Sequence, residues 1–151
     1  MSFSIEKMLN YALESGASDL HLSTGAIPMV RIHGDMKKLQ LPEMDNPSMV
    51  DIAKEILNSN QQNIFEEKLE IDFSTELKGK GRFRVNFFQQ LNGIAAVFRT
   101  IPSVIKSAEE LEIPPILNQL AEMDRGLVLM TGPTGSGKST TLAAMIDHIN
   151  E

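Results

Sequence analysis

The chain of 151 residues has no cysteine and no tryptophan, and only one tyrosine. Without cysteine it can hold neither a disulfide framework nor a thiolate zinc site, and a reducing compartment is allowed. No stretch approaches the ~20 consecutive apolar residues that span a bilayer. The start, MSFSIEKMLNYALESG, spaces Glu6, Lys7 and Glu14 at helical intervals, which is not the pattern of a secretory signal. Basic residues are in the minority, with 14 Lys and Arg against 20 Asp and Glu and a net charge of −6. Nucleic-acid binding rests on clustered cations, so that balance argues against a nucleic-acid partner. With 42% hydrophobic and 23% charged residues, the composition is that of a globular protein, expected in the cytoplasm. The length suits one ordinary domain, or a small domain and part of another.

Periodicity supplies the elements. Ile5, Met8, Leu9, Ala12 and Leu13 form one helical stripe, with Ser4 placed to cap its start and Gly16 to close its end. SDLHLS alternates, setting Leu20 and Leu22 against Asp19, His21 and Ser23. IPMVRIHGDMKKLQL reads as two strands joined around Gly34-Asp35. Asn46-Pro47 opens a second helix that buries Met49, Ile52, Ala53, Ile56 and Leu57, and a shorter helix runs through Ile64, Phe65 and Leu69. EIDFST, GRFRVNFFQQ and GIAAVFRT are three strand candidates, the last two separated by Asn92-Gly93, a strong hairpin signal.

A two-residue turn at Asn92-Gly93 predicts that Phe87 faces Phe98, Val85 faces Thr100 and Asn86 faces Arg99. Phe83, Phe87 and Phe98 then share the core face, while Arg82, Arg84 and Arg99 gather on the opposite one. Surface arginines are commonly just solvated, but same-sign neighbours with no carboxylate opposite also form anion sites. Beyond Ile101 the alternation stops. IPSVIKSAEELEIPPILNQL carries three prolines, with a capping-box pair at Ser107 and Glu110. A helix from Pro114 or Pro115, with Ile116, Leu117, Leu120 and Met123 inward, is expected to end at Gly126. LVLMT (Leu127 to Thr131) then reads as a strand buried on both faces of a parallel sheet.

The most specific motif follows at once. Gly132-Pro133-Thr134-Gly135-Ser136-Gly137-Lys138-Ser139 satisfies G-x-x-x-x-G-K-[ST] between that apolar run and a helix. Glycines allow consecutive backbone N–H groups to approach phosphates, and the helix that follows adds its positive end. Lys138 is placed to reach the β- and γ-phosphates and the Ser139 hydroxyl to ligate Mg²⁺. The three histidines, His21, His33 and His148, lie on unrelated elements, and Asp19 with His21 alone makes a poor metal site. Gly79-Lys80-Gly81 is a turn, the methionines fill cores, and Glu109 and Glu110 serve a helix start better than a general base.

Four stretches in a fixed order, GASDLHLSTG, GRFRVNFFQQ, AVFRTIP and RGLVLMTGPTGSGKSTTLAAMIDHIN, resemble the secretion-type hexameric ATPases. Within these the chain is most similar to the type IV pilus retraction (twitching-motility) family, PilT. One departure is Glu112, where the family's LGLP segment has glycine. The resemblance implies an α+β fold: a PAS-like domain with an antiparallel sheet over residues 1–99 and a linker over 100–113. The start of a RecA-like ATPase domain, truncated after Walker A, follows over 114–151. It implies a motor subunit that binds and hydrolyses ATP with Mg²⁺ and acts as a homo-hexamer in the cytoplasm. There it would work at the inner-membrane face of the pilus machine, with a platform protein and the pilin machinery as partners. Gly132 to Thr140 take the phosphate-binding role, Ser139 the Mg²⁺ contact and Lys138 the transition-state charge. Arg82, Arg84 and Arg99 match arginines that approach nucleotide phosphates as the two domains close. Family members continue past the loop with an acidic box holding a catalytic Glu, a Walker B segment and a histidine box. No complete catalytic set is therefore expected here, and the 151-residue chain itself is expected to be inactive. An accessory, assembly or type II secretion ATPase, or a non-enzymatic PAS-like interaction module, remain the alternatives.

Overall fold

The alternating runs that begin near residues 70, 81 and 93 become three adjacent strands at one side of a six-stranded sheet. The computed structural model describes residues 4–102, 107–133 and 136–150, which fall into two units, Met1–Pro102 and Ser103–Glu151. The first unit runs α1 (Ile5–Glu14), β1 (Asp19–Ser23), β2 (Met29–Ile32), β3 (Asp35–Lys38), α2 (Asn46–Ile56), α3 (Ser59–Lys68), β4 (Glu70–Leu77), β5 (Gly81–Gln90) and β6 (Gly93–Ile101). The sheet order is β3-β2-β1-β6-β5-β4, and every neighbouring pair is antiparallel. This is the α+β arrangement that the patterning and the resemblance imply.

Each helix of the first unit starts where its sequence supplies a cap. Ser4 Oγ accepts from Lys7 N at 3.4 Å, and Asp45 accepts from Ser48 N at 2.9 Å ahead of Pro47. Asn58 and Gln61 form a reciprocal capping box, with both bonds at 3.0 Å. The helices bury Ile5, Met8, Leu9 and Ala12 of α1, Met49, Ile52 and Ala53 of α2, and Phe65 of α3. These side chains form one core with Leu20, Leu22, Val30, Phe83, Val85, Phe87, Ala96 and Phe98 from one face of the sheet. Phe87 is its aromatic centre. It meets Phe98 edge-on at 5.8 Å between centroids, Phe65 edge-on at 6.2 Å and Phe73 stacked at 6.3 Å.

The hairpin register differs from the expected one. Gln90 pairs with Gly93, so the turn is Leu91-Asn92; Phe87 faces Ala96, Val85 faces Phe98, and Arg84 faces Arg99. The pairing has slid by two residues, which leaves every side chain on its expected face. Tertiary contact explains the slide. Positive φ falls on Gly93 (127°) and not on Asn92, and Asn46 Oδ1, at the start of α2, accepts from Ile94 N at 3.1 Å. Thr24 Oγ1 donates to Ile94 O at 2.9 Å. A Cβ on Gly93 would collide with Asn46 Oδ1 and with Thr24 Oγ1. The β2–β3 turn is likewise His33-Gly34 and not Gly34-Asp35. Both residues have positive φ, 52° and 89°, as a type I′ turn requires.

The other face of the sheet is ionic, and Asp19 is its centre. This carboxylate is 5% exposed. Its Oδ1 accepts from Arg99 Nε at 3.0 Å, and its Oδ2 accepts from Ser18 Oγ at 2.8 Å and lies 3.4 Å from Arg31 Nε. Burial alone would raise its pKa, but the hydrogen bonds from Arg99 and Ser18 and the Arg99 charge bring it below the ordinary value. His21, two residues along the same face, is also held below its ordinary value. Burial is the main cause, the charges of Arg31 and Arg99 add to it, and Asp19 opposes it.

In the second unit, Ser107 and Glu110 exchange the capping-box bonds at 3.0 and 3.2 Å. Glu112, where glycine was expected, lies in the left-handed region at φ 51°. Helix α4 (Ile116–Ala121) is shorter than expected and buries none of its residues; Ile116 and Met123 are exposed. The run 127–131 is not a strand, and Leu127, Val128 and Leu129 are exposed. A parallel strand needs neighbours to complete its hydrogen bonds, and the described residues of this unit contain no strand. Helix α5 (Lys138–Asn150) buries Ala144 and Met145.

Two stability predictions follow from these contacts. Phe87→Ala should cost about 3–5 kcal/mol through an unfilled cavity. Gly93→Ala should cost more than about 1 kcal/mol through its positive φ and the Asn46 collision. Urea unfolding followed by far-UV circular dichroism reads both, and a loss near zero for Phe87→Ala would remove it from the centre of the core. On acidification, both His21 and Asp19 bind protons less readily in the folded chain than in the unfolded one. Stability should therefore be greatest above the ordinary histidine value, fall below about pH 6.5 as unfolded-state His21 protonates, and fall again below about pH 4 through Asp19. Urea midpoints from pH 8 to pH 3 measure this, and His21→Gln should flatten only the upper step.

Candidate functional site

The loop before α5 is built by its glycines and closed by its lysine. Gly132 and Gly137 take φ values of 152° and 84°, and Gly137 turns the chain directly into Lys138, the first residue of α5. Thr134 and Gly135 lie outside the described residues. Lys138 Nζ donates to Gly132 O at 2.8 Å and to Pro133 O at 2.6 Å, so the ammonium lies over its own loop. Thr141 Oγ1 and N both donate to Gly137 O, at 3.0 and 2.9 Å, and fasten the first turn. Ser136, Ser139 and Thr140 are exposed beside it. A helix amino terminus carries backbone N–H groups without intrahelical partners and the positive end of the dipole. Together with one ammonium and three hydroxyls, this is the donor set for a polyphosphate. The Ser139 hydroxyl, expected to ligate Mg²⁺, is exposed at the first turn of α5. Among the described residues no group of three His, Cys, Asp or Glu could hold a metal.

Arg82, Arg84 and Arg99 are brought to one face as expected, but the absence of facing carboxylates is corrected. Arg84 donates through Nε to Asp72 Oδ1 at 3.0 Å and through Nη2 to Asp72 Oδ2 at 2.9 Å; this bond and the Asp72 charge raise its pKa. Arg99 is tied to Asp19. Arg82 faces Glu76 across the β4–β5 pair, yet among the described residues no carboxylate lies within ion-pair distance of it. The expectation considered only the β5–β6 hairpin, whereas the carboxylates arrive from β4 and β1, strands that become neighbours only through the strand order. Arg84 and Arg99 thus face each other directly, each drawn outward by its own carboxylate.

Asp19 is the residue that sequence reasoning undervalued. It shares the face with His21 as expected, but its partners are arginines. His21 Nε2 is buried and has no hydrogen-bond partner among the described residues, and burial holds the pKa of the ring below its ordinary value. The usable signal was alternation: Asp19 and Arg31 belong to successive strands, and Arg99 to a third with the same outward parity.

No helix among the described residues is long and apolar enough to cross a membrane. Comparison with known proteins gives a consistent picture. The family described as Type II/IV secretion system protein matches residues 2–151. The chain is 49% identical over 146 residues to the type IV pilus retraction ATPase PilT of Pseudomonas aeruginosa, spanning 97% of this chain and 42% of that protein. It is 55% identical over 124 residues to a twitching motility protein of Neisseria gonorrhoeae, spanning 82% of this chain and 33% of that one. Among solved structures, the pilus retraction motor PilT with bound ADP superposes with a TM-score of 0.86 at 40% identity, over 99% of this chain and 44% of that chain. The sequence therefore spans less than half the length of these relatives. With the match running over nearly every residue, the chain belongs to the type II/IV secretion system protein family, alongside pilus retraction ATPases.

Proposed function

We propose that this chain is the amino-terminal part of a hexameric motor ATPase that powers type IV pilus retraction, and that it carries the phosphate-binding half of the nucleotide site. The observation that carries this reading is the loop geometry: a left-handed Gly137 leading into Lys138 at the first turn of a 13-residue helix, with Nζ turned over the loop. ATP would bind with its β- and γ-phosphates against the α5 amino terminus. Lys138 would exchange its carbonyl partners for phosphate oxygens, and Ser139 would give Mg²⁺ its protein ligand. Residues 1–99 would act as the PAS-like domain, 100–113 as linker, and 114–151 as the opening of the RecA-like domain. The exposed apolar residues Leu127, Leu129, Leu142, Ile146 and Ile149 support that last assignment, because further sheet and helices would cover them. A cytoplasmic position at the inner membrane, with the platform protein and pilins as partners, is what the sequence resemblance implies for the full-length protein.

Phosphoryl transfer to water needs charge neutralisation, which Lys138 and Mg²⁺ supply, and a group that orients the water. In the family that group and the Walker B acid belong to segments beyond those represented here. We infer that the 151-residue chain binds nucleotide and turns it over negligibly. A paralogous assembly or secretion ATPase would use the same loop, and pilus retraction in cells carrying the corresponding full-length variant separates the two.

Isothermal titration with ATP and Mg²⁺ is the direct test. The chain should bind, and Lys138→Ala should weaken binding at least tenfold, in keeping with loss of a charge-assisted contact to phosphate. Phosphate release should stay at background for both. Equal affinity in the two proteins would remove the loop from the nucleotide site, and sustained hydrolysis by the chain alone would show that it holds a complete catalytic set.

A further inference from the structure

The two edges of the sheet are built differently. At one end β3 is four residues long, exposed throughout, and carries Lys37 and Lys38, a common protection of an open edge. At the other end β4 is eight residues long and has neither proline nor lysine. Its pairing with β5 fixes which backbone groups are left over. Gln89 N donates to Leu69 O at 2.8 Å, and in the same register Ile71, Phe73 and Thr75 exchange bonds with β5. The N–H and C=O groups of Glu70, Asp72, Ser74 and Glu76 therefore point to the open edge. Beside the last residues of this edge lies an open groove of about 160 Å³, between β4, α1 and α2. Ile5 and Leu9 of α1 line it and are almost fully buried, together with Ile56 of α2. A cavity of roughly 150 Å³ holds benzene, so the groove has room for one apolar side chain. Glu6, Glu55 and Glu76 line it as well, and all three are exposed. Among the described residues none of the three is in an ion pair, although Arg82 stands directly across from Glu76.

We propose that the β4 edge and this groove form a docking site for an extended basic segment of a partner protein, which adds a further strand to the sheet. Main-chain bonds to Glu70, Asp72, Ser74 and Glu76 supply affinity, and the groove and its carboxylates select the side chains. Residues of the added strand opposite Thr75 and Leu77 point to the helix side, where the groove accepts an apolar group. The residues between them point to the other face, where lysine or arginine meets Glu76. Glu6 and Glu55 extend the same attraction around the groove. Charge also decides against a second copy of this chain as the occupant. An antiparallel copy sets the edge residues against one another, Glu70 opposite Glu76 in one register and Asp72 opposite Glu76 in the next. Like charges directly opposite are destabilising. The site stands apart from the nucleotide reading, since it uses no residue of the phosphate loop or of the arginine cluster.

The test titrates the whole 151-residue chain into a fluorescein-labelled peptide, Lys-Val-Lys-Leu-Lys-Val-Lys, and follows fluorescence anisotropy. The peptide should bind saturably, and raising NaCl from about 0.05 M to about 0.5 M should weaken it several-fold. A peptide with glutamate in place of every lysine should not bind. Glu76→Lys should weaken binding about fivefold, through one lost attraction and one new repulsion. Ser74→Pro removes an outward N–H and leaves the β5 ladder in place; it should weaken binding about tenfold or more. Two N-methylated peptides, one altered at the lysines and one at the apolar residues, probe the pairing on the unaltered chain. Alternate amides of a strand point to opposite sides, so one of these peptides should lose binding and the other keep it. That result does not depend on the fold tolerating proline. If both N-methylated peptides bind like the original, edge pairing is wrong. If the glutamate peptide binds as tightly as the lysine one, the charge complementarity is wrong. Sedimentation equilibrium showing a dimer that Ser74→Pro disperses makes the occupant a second copy and overturns the basic partner.

Discussion

Asp19 sits almost out of reach of water on a strand whose neighbouring residue, Leu20, is fully buried in the core. An ionised carboxylate in that position is costly unless it is both paired and hydrogen-bonded. It is satisfied by groups from two different strands, Arg31 on β2 and Arg99 on β6, with Ser18 beside it. The compensation works in only one arrangement. β1 must lie between β2 and β6, and Asp19 must stand opposite both arginines, as the pairings Asp19–Arg31 and Asp19–Arg99 have it. The buried charge thus selects strand order and register for half of the sheet, much as Phe87 and its ring neighbours do from the core side.

The two faces of the β5–β6 hairpin are set by one alternation, and that is why so much of the fold could be read from the chain. Phe83, Val85 and Phe87 had to lie on one side and Arg82 and Arg84 on the other, whatever the turn. The caps at Ser4 and Ser107 were legible for the same local reason: each bond spans three residues. The exact cross-strand partners were not legible, because Asn46 and Thr24 set them from distant parts of the chain. The ion pairs were hidden for a related reason. Asp72 and Asp19 neighbour the arginines only after β4 and β1 have taken their places. At 127–131 the apolar run promised a strand, but a strand is a relation between segments, and the described residues of the second unit provide no partner segment for the ladder.

Glu112 shows local and family expectations meeting in one torsion angle. The family pattern has glycine there, and the backbone takes the left-handed conformation that glycine accepts freely, at φ 51°. A side chain in that region costs of order 1 kcal/mol. The turn between Ser107 and Pro114 keeps its shape because the capping box and the bond from Ile113 N to Ala108 O hold it on both sides. The sequence departs from the pattern while the conformation the pattern encodes is kept.

Lys138 has a chemical consequence of its own. Its ammonium already holds two carbonyl oxygens, at 2.8 and 2.6 Å, so any anion that captures it must compete with ligands that are near-ideal in distance. Binding at this loop is then a substitution reaction and not a simple addition. A small monovalent anion offers one contact in return for two and gains little, whereas a chain of linked phosphates presents several oxygens at once and can also engage the α5 amino terminus. The loop's own carbonyls are thus internal competitors for the ammonium, and linked phosphates would offer it more contacts in exchange than chloride could.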